Sequence, residues 1–84
     1  MFEYYFTFRS LTAAQQAAAE LQRNMIIPAL VRAPKSISSM GCAYAARVMI
    51  SDGKSAAAVL RKAGVLFTKI LVQDNLGVWR EVYL

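Results

Sequence analysis

The only cysteine of the 84-residue chain, Cys42, lies in the stretch APKSISSMGCAYAARV, residues 33–48. A thiol with no second cysteine beside it cannot be resolved into an internal disulfide after it has reacted. In its ionised form it is a nucleophile, and an anionic product on it needs cations and hydrogen-bond donors nearby. The same loop carries those residue types. Lys35 is a cation, Ser36, Ser38 and Ser39 are hydroxyl donors, and Gly41 allows backbone to approach a ligand closely. Arg9, Ser10 and Arg32 are further candidates for holding an anion beside Cys42. The plain alternative is that Cys42 packs as a small hydrophobe, because free cysteine is among the most often buried residues.

Composition narrows the chemistry. The chain has no histidine, which removes imidazole acid–base catalysis and histidine-ligated metals. One cysteine rules out a cysteine-rich metal site, and five acids scattered singly offer no cluster for a hard cation. Met1, Met25, Met40 and Met49 are dispersed and read as gap-fillers. No metal or other cofactor is expected. The net charge is +5 and unevenly spread: no acid stands between Glu20 and Asp52, whereas Arg23, Arg32, Lys35 and Arg47 do. Such a window is either a solvated basic face or a surface for an anion or an acidic partner.

Hydrophobic residues make up 57% of the chain and mean hydropathy is +0.36, above the ~45–50% apolar content usual for a soluble domain. A single domain of this length buries a limited core, so part of that excess stays on the surface and a homodimer or a partner protein is expected. The longest uncharged apolar stretch, near Met25–Val31, contains Pro28 and falls short of the ~18–20 residues that span a membrane. The N-terminus MFEYYFTFRS reads as a strand, not a signal peptide. A cytoplasmic protein without membrane attachment is the expectation.

The elements that must position the thiol follow from periodicity. Phe2, Tyr4, Phe6 and Phe8 alternate with Glu3, Tyr5, Thr7 and Arg9, which predicts a strand with one buried face. Ser10 or Thr12 offers a helix cap for LTAAQQAAAELQRN, with Leu11, Ala14, Ala18 and Leu21 as a core-facing stripe and Asn24 at its end. MIIPALVR, 25–32, predicts an edge strand, because Pro28 cannot donate to a ladder. CAYAARVMI, 42–50, predicts a strand with Tyr44, Ala46, Val48 and Ile50 on one face. SAAAVLRKAG, 55–64, predicts a second helix closed by Gly64. VLFTKILV, 65–72, reads as a strand, QDNLG as a turn, and VWREVYL, 78–84, as a last short strand. Trp79 in that strand is expected to pack, or to pair with another subunit.

Strand, helix, strand, strand, helix, strand and a tail fold with right-handed crossovers as one α+β, ferredoxin-like domain over residues 1–84. The expected sheet is antiparallel, of order 4-1-3-2, with both helices on one face and the other face open. The loop before Cys42 then lies at the end of the sheet where the first helix starts. Arg9, Ser10 and the backbone N–H groups of Leu11–Ala14 become its expected neighbours, and the positive end of a helix favours a thiolate.

The stretch PKSISSMGCAYAARV followed by SAAAVLRKAGV resembles the small bacterial family called Putative Se/S carrier protein-like. The features that carry the resemblance are Phe6-Thr7-Phe8-Arg9-Ser10, the alanine-rich Ala13–Leu21, Pro34-Lys35-Ser36-Ile37-Ser38 and Gly41-Cys42. Lys35 stands where arginine is usual, and matching Cys42 to the family cysteine takes one extra residue, most simply Met40. The resemblance implies that Cys42 carries sulfur or selenium as a persulfide or selenide equivalent. A cysteine desulfurase or another sulfur or selenium donor is the implied partner. Such a protein shuttles a covalent group and is not an enzyme in the usual sense.

Two other classes stay open beside the carrier. One is a dimeric module that binds a small anionic ligand at the basic serine–glycine loop, whatever Cys42 does. The other is RNA binding on the open sheet face, which the fold and charge suit. That class needs exposed aromatics on the two central strands. The first strand offers only Tyr5, and the third offers Ala43, Ala45, Arg47 and Met49. Nucleic acid is therefore not the expected partner.

Overall fold

The computed structural model describes residues 3–33 and 43–84. Phe2 and the candidate loop residues Lys35, Ser36, Ser38, Ser39, Gly41 and Cys42 lie outside the described residues. Five strands and two helices follow one another as β1 (Glu3–Phe8), α1 (Leu11–Arg23), β2 (Ala29–Arg32), β3 (Tyr44–Met49), a short 3₁₀ turn (Ile50–Asp52), α2 (Gly53–Lys62), β4 (Ile70–Gln73) and β5 (Trp79–Val82). The strands form one sheet in the order β2-β3-β1-β4-β5, every pair antiparallel. Read from its other edge, this is the expected 4-1-3-2 arrangement with β5 added outside β4. The fold is α+β and compatible with the ferredoxin-like arrangement. Among the described residues, no helix is long and apolar enough to cross a membrane.

The alternation of β1 sets the core. Phe6 pairs with Ala46 on one side and Ile70 on the other. Phe6, Phe8, Ala46, Val48 and Ile70 are buried against Ala14, Ala17 and Leu21 of α1 and Ala56, Ala57 and Leu60 of α2. Alanines on both helices let the backbones lie close to a sheet whose central strand carries the bulky Phe6 and Phe8. Leu11 does not join the stripe: it is 44% exposed at the start of α1, and Ala17 takes the core position instead.

Both helices end in the same way. Ile26 N–H donates to Leu21 O (2.9 Å) and Met25 N–H to Gln22 O (3.0 Å); Val65 N–H donates to Leu60 O (2.9 Å) and Gly64 N–H to Arg61 O (3.1 Å). These are Schellman closures, which place one residue in the left-handed region. Gly64 (φ 73°) fills that position after α2, but a side-chain-bearing residue, Met25 (φ 63°), fills it after α1.

Those closures shorten the predicted strands. The expected strand over 25–32 begins only at Ala29, because Met25 and Ile26 spend their N–H groups on α1; it is an edge strand, as Pro28 required. The expected strand over 65–72 begins only at Ile70 and runs on to Gln73. Ahead of it, Thr68 N–H donates to Thr7 O (2.7 Å) while Thr7 N–H donates to Lys69 O (2.9 Å). Two residues thus oppose one, the signature of a β-bulge. The buried Thr7 hydroxyl fastens it, accepting Lys69 N–H (3.0 Å) and donating to Lys69 O (3.2 Å). The second helix starts two residues earlier than expected, at Gly53, and ends at Lys62.

The face away from the helices is not open throughout. Thr7, Ala45 and Leu71 are buried there, and Leu71 forms a second small cluster with Tyr5, Ala33 and Trp79. The turn between β4 and β5 is held by Asp74, whose Oδ1 accepts the N–H groups of Leu76 (2.8 Å) and Val78 (3.0 Å). The Val78 bond leads the causes that hold the Asp74 carboxyl below the usual carboxylate range, with Arg80 adding to them from 3.5 Å.

Candidate functional site

Residues that flank the cysteine loop are tied to the start of α1. Ala43, which follows Cys42 in the chain, donates its N–H to Phe8 O (3.1 Å) and accepts Ala33 N–H (3.0 Å) on its own carbonyl. Phe8 ends β1, and Arg9 and Ser10 follow it directly into the helix. The backbone on both sides of residues 34–42 is therefore anchored beside that helix terminus, as the topology required.

Ser10, not Thr12, is the cap. Its Oγ accepts Ala13 N–H (3.1 Å) and its carbonyl accepts Ala14 N–H (3.2 Å). Of the four N–H groups at Leu11–Ala14 expected beside Cys42, those of Ala13 and Ala14 are therefore already used. The N–H groups of Leu11 and Thr12 precede the first intrahelical bond and carry the positive end of the helix dipole.

A concavity of about 370 Å³ opens at this terminus, lined by Arg9, Ser10, Ala13, Leu66, Phe67 and Thr68. The sequence pattern predicts strand for Leu66, Phe67 and Thr68. Leu66 and Phe67 lie ahead of the bulge and Thr68 lies in it, and the three form a wall facing the helix start. The polar pair Thr68-Lys69 inside an apolar run was the one signal that the run is not a plain strand. Phe67 is fixed edge-to-face on the core residue Phe6 (5.1 Å, 85°), and the Arg61 guanidinium lies 5.5 Å from the centre of its ring. Arg61 also donates to the Leu84 carbonyl.

The charges at this end are basic. Glu20 pairs with Arg23 (3.0 Å), Glu3 with Arg47 (3.2 Å) and Asp74 with Arg80 (3.5 Å), all on other parts of the molecule. Among the described residues, Arg9 has no acidic partner. Leu66, 85% exposed, and Leu11 put apolar surface beside it. Arg32 is not among the residues lining this concavity. It ends β2 opposite Tyr44 and lines a separate concavity on the sheet face, with Tyr5 and Trp79. The structure thus joins Arg9 and Ser10 and sets Arg32 apart from them. No group of three or more metal-ligating side chains occurs among the described residues.

The family model described as Putative Se/S carrier protein-like matches residues 3–72 of the 84. The match takes in β1 through most of β4, with both helices and the cysteine loop. No curated protein and no solved structure matches the chain.

Proposed function

From the premise that the chain belongs to the Putative Se/S carrier protein-like family, we propose that it is a single-thiol carrier in which Cys42 accepts sulfur or selenium from a donor protein. In the sulfur case, the Cys42 thiolate attacks the terminal sulfur of a donor persulfide. A bond forms between the two sulfurs, the donor's own sulfur leaves as a thiolate, and no outside oxidant or reductant is needed. The observation that supports this reading most is the bond from Ala43 N–H to Phe8 O, which anchors the residue next to Cys42 to the strand that delivers Arg9, Ser10 and the α1 terminus. A helix N-terminus and an unpaired guanidinium favour a thiolate and the anionic persulfide that replaces it. Lys35, Ser36, Ser38, Ser39 and Gly41 are the loop residues proposed to complete the anion's surroundings.

Incubation with a low-molecular-weight persulfide donor is expected to raise the mass of the native protein by one sulfur atom, reversibly with reductant, and to leave Cys42→Ser unchanged. A native protein that gains no mass, or a Cys42→Ser variant that gains it equally, contradicts the carrier. The concavity lined by Arg9 and Ser10 also favours a second reading, an anion-binding module in which the thiol plays no part. That reading expects Cys42→Ser to bind a small anion as the native protein does.

A further inference from the structure

Residues 73–84 lie beyond the family match; Gln73 completes β4, and Trp79–Val82 add β5 to the sheet. Within the register, Trp79 faces Gln73, and its ring reaches across β4 to Tyr5 of β1. The two rings meet edge-to-face, 4.9 Å apart at 83°. Together with Val31, Arg32, Arg47 and Gln73 they line a concavity of about 610 Å³ on the face away from the helices.

That volume falls within the ~300–1,000 Å³ of small-ligand sites, and the lining has their chemistry. Two aromatic rings offer contact area, two of the lining residues are arginines, and none is acidic. Arg47 pairs through its Nε with Glu3 Oε2 (3.2 Å), and its side chain stays 39% exposed, so the rest of its guanidinium can offer N–H donors to an anion at this concavity.

We propose that β5 builds, with β1, β2 and β3, a second binding site for a planar aromatic anion of the size of a nucleoside monophosphate. The ring lies against Tyr5 and Trp79, and its oxygens are held by Arg47, with Arg32 at the rim on the edge strand. Long runs of nucleic acid are not the ligand class, because the same face carries Glu3 and Glu81 among its alternating positions. The proposal does not rest on Cys42 or on the carrier reading.

Trp79 is the chain's sole tryptophan, so one indole N–H resonance reports on one wall of the site. Titration with guanosine 5′-monophosphate is expected to shift that resonance saturably, with a half-point below about 1 mM. Guanosine, which lacks the anion, and inorganic phosphate, which lacks the ring, are each expected to bind at least about tenfold more weakly. Arg47→Gln and Arg32→Gln, each checked for an unchanged melting curve, are expected to weaken nucleotide binding about tenfold. A resonance unmoved at about 10 mM nucleotide, or moved equally by guanosine, or moved equally in both arginine variants, overturns the proposal. So does a resonance that shifts with protein concentration alone, since a second copy of the chain is then the occupant.

Discussion

Phe6→Ala is expected to lower the free energy of unfolding by about 3–5 kcal/mol. Phe6 is fully buried on the central strand, between Ala46 and Ile70, with Phe67 edge-on to its ring. What surrounds it decides the magnitude. The helix positions over it are mostly alanines (Ala14, Ala17, Ala56 and Ala57), which have no side-chain length with which to refill a void. The cavity therefore stays open, and the loss includes both the transfer term and the cavity term. A domain of ordinary stability has only about 5–15 kcal/mol in total, and one of this size loses about 4–8 °C of melting temperature per kcal/mol. Denaturant titration followed by circular dichroism measures the effect. A loss under about 1.5 kcal/mol, the range of a volume-conserving swap, would mean that the core collapses around the gap. Phe6 also supports Phe67, so the same variant is expected to loosen the wall of the Arg9–Ser10 concavity.

Gly53→Ala separates two physical rules of opposite sign. Gly53 opens α2 with an ordinary helical backbone, φ −57° and ψ −51°. Helix propensity alone therefore favours alanine by up to about 1 kcal/mol. Packing says the reverse. A Cβ at this position would fall 2.1 Å from Tyr4 Cδ2, 2.3 Å from Tyr4 Cε2 and 3.2 Å from Leu84 Cδ1. The Tyr4 ring packs against the core and cannot move aside without disturbing it. Forced overpacking of this kind costs about 1–3 kcal/mol, so net destabilisation is expected. In a Tyr4→Ala background the obstacle is gone, and the same substitution is expected to be neutral or stabilising. An alanine that stabilises the otherwise native chain would show that Gly53 is not there for space.

These two positions show what the sequence discloses and what it hides. The period-two aromatics of β1 disclosed a buried face because nothing local competes with them, and Phe6 and Phe8 are where that pattern put them. The alanine-rich runs disclosed both helices for the same reason. Gly53 lies outside the run that predicts the second helix, since its function depends on Tyr4, 49 positions earlier in the chain. The starts of β2 and β4 were hidden because hydropathy alone does not show where backbone N–H groups go. Ile26 and Val65 are apolar enough for strands, but their N–H groups close the preceding helices. The bulge at Thr68 and Lys69 depends on the Thr7 hydroxyl, a contact between distant segments. Trp79 was legible as a packing residue, but its partner Tyr5 and the concavity between them follow from a register that no local pattern encodes. Of the thiol site, the meeting of Ala43 with the end of β1 was legible, because topology alone dictates it. The Leu66–Thr68 wall was not.

The central claim is that Cys42 works as an accessible thiolate beside the α1 terminus and its basic surroundings. The most direct measurement is the rate of Cys42 alkylation against pH in the native protein, with the urea-unfolded chain as reference. The unfolded thiol is expected to titrate near pH ~8.5. The account predicts a reactive native thiol that titrates at least about one unit lower. A native thiol that does not react, or that titrates at or above the unfolded value, would contradict the carrier and leave anion binding at Arg9 and Ser10 as the function of this end of the fold.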